Sequence, residues 1–379
     1  MSREKVYIVD PVFRGSRMFL SFLLSAKLDE EEFSHEILTR TAFKNDQFAE
    51  FFKERANTLS VREFFPVEES KWFYKISWKN CFKLLKHFRR NGNKATYYLT
   101  GYNEWFPKLS ILLLILTVFG MIPSGIKIVA IEYDPVFLFS AGSRKLKLKK
   151  TLQLWLVRSL NIELGVLDER IDMESNPNYF FLPDPPNAFV GLPDRQLNAS
   201  GHLTLLVVGL QTRRKGLQEL FNFLENHREG IPDNIKFRLV GRFSDDTPGL
   251  RDKLIQDDTW ELREGFLSEE EILEEYSKAD YVVLPYLKSF NSSSGVLAYS
   301  VYCGTPVIST DHGLIAYRVE KFGLGFTYAL DEYRTLMDTL TQISNQSIDD
   351  YQTLVKQCKT YSTNNSVREH QRILFEHVS

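Results

Sequence analysis

At 379 residues the chain exceeds the size at which one hydrophobic core keeps growing, so two domains are expected; 43% hydrophobic and 25% charged residues exclude a largely disordered or collagen-like protein. Lys and Arg number 47 against 49 Asp and Glu, a net charge of −2, which gives no overall field to hold nucleic acid. Cys81, Cys303 and Cys358 are scattered and form no CxxC pair, which argues against a disulfide framework or a cysteine zinc site and for a reducing cytoplasm.

Met1–Lys5 leads directly into the strand-type run Val6–Val9, with no signal-peptide core, so no targeting leader is expected. Gly15-Ser16 then turns into the helical pattern Met18–Ala26. Ala95–Leu99 and Ile126–Ile131 predict two further strands. Between them Leu109–Ile122 is the most apolar stretch; it is shorter than the roughly 20 residues that span hydrocarbon, Pro123 stops it, and a buried helix is expected. Arg144–Lys150 places five cations in seven residues, alternating with leucines. Its ordinary reading is a solvated helix edge, and the alternative is a patch on anionic lipid. A short strand is expected near Ile162–Leu167. Strands alternating with helices imply a parallel sheet whose ligands bind beyond the carboxyl ends of the strands. Asp10–Ser16, Gly101–Trp105 and Glu132–Phe137 would then share one rim.

Pro183, Pro185 and Pro186 break the pattern, because three prolines in four residues cannot sit inside a sheet. The domain boundary is placed here, giving 1–187 and 188–360, with 361–379 as a final helical tail. The alternation then restarts. Leu203–Val208, Lys236–Val240, Tyr281–Leu284 and Pro306–Ser309 predict strands, and Gly216–His227 and Ser294–Cys303 predict helices. Ser268-Glu-Glu-Glu271 is a capping box that opens a helix through Lys278. Later helices are expected over Asp331–Ile343, Asp349–Lys359 and Val367–His377. Two α/β sandwiches joined by a proline hinge make a cleft, a common ligand position.

Three segments carry candidate chemistry. Gly209-Leu-Gln-Thr-Arg-Arg-Lys-Gly216 follows a strand and opens a helix; its glycines permit tight turns, and Arg213, Arg214 and Lys215 sit beside free helix N–H groups, which suits a phosphate. A solvated basic loop is the ordinary alternative. Ser289-Phe-Asn-Ser-Ser-Ser-Gly295 lies just beyond the strand that ends at Pro285, and the N–H groups of Ser294, Gly295 and Val296 would open a helix toward an anion. A polar turn is the plain alternative. Both segments belong to one end of one sheet. Cys303–Gly313 is the third, with Cys303 read as a small buried hydrophobe and His312 as a loop residue at the same rim.

These segments, with Leu239-Val-Gly241, Gly265-Phe-Leu-Ser268, Ala279–Tyr286 and Gly304–Gly313, resemble in order and spacing the donor-binding domain of GT-B glycosyltransferases, specifically glycosyltransferase family 4. The likeness runs from about Leu203 to Phe326. The first half is similar in layout, including the Gly15 loop and a Tyr133-Asp-Pro135 step. The resemblance implies two Rossmann-like parallel-sheet α/β domains facing a central cleft, an N-terminal one for the acceptor and a C-terminal one for the nucleotide sugar. The last helix would cross back to the first domain.

It also implies retaining transfer of a sugar from a nucleotide diphosphate sugar to a glycan or lipid-linked acceptor, in surface polysaccharide or glycoconjugate synthesis, with no cofactor or metal required. Arg214 and Lys215 would neutralise the leaving diphosphate, with Tyr133 at the reacting centre. Gly209, Arg213, Gly241, Arg242, Phe266, Leu267, Asn291, Ser293, Ser294, Gly295, Val296 and Tyr299 would line the donor site. Gly15, Tyr102, Glu132 and Asp134 would meet the acceptor, with Tyr102, Trp105, Phe106 and Tyr133 as an aromatic rim. The family's two glutamates, eight positions apart, fall on Asn291 and Tyr299, and the arginine after its first glycine is Leu210 here.

An active transferase is therefore the leading reading. A glycosyltransferase-like protein that binds nucleotide or glycan without catalysis is the second, and an epimerase of the same fold the third. The cytoplasm is the expected compartment, with loose contact at the inner face of an anionic membrane and no nucleic-acid partner.

Overall fold

The computed structural model describes residues 5–11, 15–40, 60–65, 76–91, 94–121, 125–133, 144–186, 201–330, 332 and 334–379. It divides into two compact units, Met1–Pro183 with Val367–Ser379, and Asp184–Ser366. Most of the segment expected to link them, 187–200, lies outside the described residues, as does Pro123.

The first unit holds a seven-stranded sheet: β1 Lys5–Asp10, β2 His35–Arg40, β3 Val61–Phe65, β4 Ala95–Leu99, β5 Ile126–Glu132, β6 Glu163–Val166 and β7 Tyr179–Phe181. Their order is β3-β2-β1-β4-β5-β6-β7, and every described pairing is parallel. Burial on both faces explains the continuous apolar runs of β1 and β4. Tyr7, Val9, Tyr97, Leu99, Ala130 and Leu164 point into a core shared with the helices Trp78–Asn91, Lys108–Val118 and Arg144–Ser159. Outside that core the helices Gly15–Glu30 and Val367–Val378 pack on each other. Gln371 Nε2 donates to the Leu23 carbonyl at 2.9 Å, and Phe33 meets Phe375 edge to face. His370 on the last helix is fully buried, its Nδ1 donating to the Pro183 carbonyl at 2.7 Å.

One expectation is corrected here. The apolar helix is buried only along Leu109, Ser110 and Leu113, while Ile115, Val118, Phe119 and Met121 are exposed. No described helix is long and apolar enough to cross a membrane.

The second unit holds six strands, β8 Leu203–Gln211, β9 Ile235–Phe243, β10 Trp260–Glu264, β11 Tyr281–Leu284, β12 Val307–Thr310 and β13 Gly325–Tyr328. They run β10-β9-β8-β11-β12-β13, parallel in every described pairing. The Ser268–Glu271 capping box is present and opens the helix Glu269–Lys278. Buried Glu275 on that helix accepts from Arg238 of β9 at 2.6 Å and from Arg263 of β10 at 2.7 Å, tying helix to sheet edge.

Candidate donor site at the β8–β11 rim

β8 leads out to β9 on one side, and β11 leads out to β12 on the other. The carboxyl ends of these adjacent strands therefore form the switch point where open α/β sheets bind ligands. After β8, Arg213–Lys215 forms a single 3₁₀ turn that ends at Gly216 with φ 70°. A β-carbon on Gly216 would collide with the Pro285 carbonyl just past β11, so only glycine fits. The Leu287 N–H donates to the Arg214 carbonyl at 3.0 Å, fastening the basic turn to the Pro285–Phe290 loop. Residues distant in sequence are thus held as one surface.

On that surface the Arg214 guanidinium lies 4.9 Å from the centre of the Phe290 ring, and the Lys215 ammonium 5.8 Å from that of Tyr286. Lys215 Nζ also overhangs the end of β8, 3.3 Å from where a β-carbon of Gly209 would stand. Burial, with a smaller push from Arg214, lowers the Lys215 pKa to about 8. The charge of a dianionic ligand would favour protonated Lys215 and offset both effects. Arg213 points outward, and its N–H is taken by Asp246 at 3.2 Å.

The serine loop closes the other side. Ser294 caps the helix Gly295–Tyr302: its hydroxyl accepts from the Leu297 N–H and meets the Tyr286 hydroxyl at 3.3 Å. The first N–H groups of that helix, at Gly295 and Val296, have no partner within it. Ser293 is half-buried beside them. Thr310 Oγ1 donates to the Tyr286 carbonyl at 2.8 Å. Gly313, φ 75°, lies against Asn291, whose Oδ1 is 2.9 Å from its would-be β-carbon, so the start of the helix Gly313–Phe322 joins the same rim. His312 precedes it with both ring nitrogens buried and without a hydrogen-bond partner. The sequence placed His312 at the rim but gave it no task.

At β9, Gly241 (φ 148°) backs directly onto the Gly209 carbonyl and leaves no room for a side chain. Arg242 lies 5.6 Å from the ring centre of the exposed Phe266. The Leu267 side chain is packed into the core beside them. Tyr299 is half-buried and stacked on Tyr276 at 5.8 Å, and burial pushes its phenol far up, so it brings no negative charge.

The first unit places its expected residues differently. Gly15 begins the first helix, and Tyr133 directly follows β5. Tyr102 and Trp105 are core residues, which corrects the aromatic rim: Tyr102 is buried with its hydroxyl bonded to Ser110 at 2.8 Å. Phe106 packs with them. Glu132 is likewise closed off from solvent, accepting from Gln153 at 3.3 Å. Asp134 lies outside the described residues. Among the described residues no cluster of three or more His, Cys, Asp or Glu is placed to hold a metal ion.

Residues 202–346 match the family described as glycosyl transferases group 1. No curated relative matches the chain by sequence. Solved structures match it in fold. A glycosyltransferase from Rickettsia africae is 12% identical with a TM-score of 0.69, over 99% of this chain and 98% of that one. Sucrose-phosphate synthase from Thermosynechococcus elongatus is 13% identical, TM-score 0.67, over 99% and 98%. Anabaena HepE, in complex with UDP and glucose, is 13% identical, TM-score 0.67, over 99% of both chains. Residues 202–346 are a group 1 glycosyltransferase domain, in a chain that takes the two-domain, parallel-sheet GT-B glycosyltransferase fold.

Proposed function

We propose that the chain is a retaining glycosyltransferase that moves a sugar from a nucleotide diphosphate sugar to a glycan or lipid-linked acceptor in glycoconjugate synthesis. One observation carries this reading: Arg214, Lys215 and the start of the Gly295–Tyr302 helix converge on one rim through the Leu287–Arg214 backbone bond. Breaking the bond from sugar carbon to phosphate oxygen leaves both electrons on the diphosphate. Two cations and oriented N–H groups stabilise that charge where it develops. HepE, bound to UDP and glucose, supports a nucleotide-sugar donor. Retention of configuration rests on the family resemblance, as does working at the inner face of a membrane.

Incubation with UDP-, ADP-, GDP- and dTDP-sugars tests the reading. Slow release of nucleotide diphosphate from one of them is expected, and neither binding nor release of any would overturn it. Binding without release would favour the second reading, a non-catalytic sugar-nucleotide binder. The neutral side chains of Asn291 and Tyr299 speak for that alternative.

A further inference from the structure

The three helices that cover one face of the first sheet, Trp78–Asn91, Lys108–Val118 and Arg144–Ser159, contain twelve Lys and Arg and not one Asp or Glu. The whole chain carries a net −2, so this face is strongly set apart from the rest. The middle helix packs against both others, making one continuous surface. Its outer side is also unusually apolar. Val118 is 74% exposed and Phe119 72%, with Ile115 and Met121 beside them. Trp78 and Phe82 are exposed on the first helix and Leu148 and Trp155 on the third. On that third helix Arg144, Leu148, Thr151, Trp155 and Arg158 are all exposed at helical spacing, so cations and large apolar groups share one outward stripe.

We infer that this three-helix face is a docking surface for an anionic lipid bilayer. The inference deepens the membrane part of the proposed function by naming the surface. A solvated helix edge explains the lysines but not the exposed Phe119, Trp155, Val118 and Leu148, which pay for exposure to water unless something apolar receives them. Cations around apolar groups on one helical layer match phosphate headgroups over acyl chains. A nucleic-acid backbone matches the cations alone. The surface runs the length of these helices, from Trp78 and Leu148 in their first halves on the carboxyl-end side of the sheet to the amino-end side. Each of these helices ends just before the next strand begins, so Val118, Phe119 and Trp155 lie toward the amino ends of the strands.

Sedimentation of the full chain with vesicles of phosphatidylglycerol and phosphatidylcholine tests this. Binding is expected at low salt, lost at high salt, and absent with phosphatidylcholine alone. Each cation near the surface strengthens binding roughly fivefold, so Lys147→Ser with Lys149→Ser and Lys150→Ser should weaken it at least tenfold. Val118→Ser with Phe119→Ser should weaken it by a similar factor without changing the melting temperature. Ile255→Ser with Ile348→Ser, exposed apolar residues of the second unit, should leave it unchanged. Undiminished binding by both face variants would place the membrane contact elsewhere and overturn this surface. Failure of the unmodified chain to bind would overturn the membrane reading as well, leaving sugar-nucleotide turnover to be judged on its own assay. Vesicle-independent dimerisation abolished by the same substitutions, or DNA binding abolished by the lysine set, would assign the face to another partner.

Discussion

Gly216 and the carbonyl oxygen of Pro285 are so close that a single β-carbon at Gly216 would overlap the oxygen. The contact joins the turn after β8 to the exit of β11. Gly216→Ala adds both that collision and a left-handed backbone angle, and should destabilise the second unit by about 2–4 kcal/mol. Urea unfolding should show a lower midpoint, and nucleotide diphosphate affinity should fall more than tenfold because Arg214 and Lys215 move with the turn.

Arg214→Ala and Lys215→Ala should each weaken nucleotide diphosphate binding by about 1.5–3 kcal/mol, the scale of a charge-assisted hydrogen bond. Calorimetry with unchanged affinity in both variants would remove the phosphate assignment.

Lys215 also makes binding pH-dependent. With its pKa near 8, affinity should decline as pH rises through 8, and binding above that pH should take up a proton. Stability has the opposite sense. From pH 8 to the usual 10.5 the unfolded chain holds a proton the native chain has released, so stability rises with pH across that window. Lys215→Met removes the cost of burying the charge, and should raise the melting temperature at neutral pH while weakening nucleotide binding.

Acid should unfold the first unit early. His87 and His370 are buried there, and burial lowers each to about 4 from the usual 6.5. The unfolded chain therefore binds more protons between pH 6.5 and 4, and stability falls as pH drops through that range, by roughly 3 kcal/mol per histidine at most. Melting curves at pH 7.5, 6 and 5 should show this slope, and His370→Gln should flatten it.

Turnover is expected to survive EDTA, because Arg214 and Lys215 supply positive charge at the rim. Loss of activity restored by a divalent ion would give the diphosphate to a metal instead.

The second unit was legible because its constraints are written as backbone requirements. Gly209, Gly216 and Gly241 mark left-handed or crowded positions that no other residue fills, and their spacing survives in the sequence. Edge strands were harder to see: β10 reads Trp-Glu-Leu-Arg-Glu and buries only its first residue fully, so no apolar run announces it. Tyr102 looked like a rim aromatic because it follows a strand, yet Ser110 satisfies its hydroxyl from eight residues away. The depressed pKa of Lys215 was likewise invisible, since Tyr286, which stands against it, arrives from the loop after β11.

The bond from His370 to Pro183 has a consequence for the order of synthesis. The second unit is an uninterrupted span, whereas the first is completed only by its last helix, Val367–Val378. Until that helix is made, the groove beside Leu23 and Phe33 that it fills in the finished fold stays open. A stop codon before Val367 would leave that groove open for chaperones and proteases, although every residue of the β8–β11 rim had already been made.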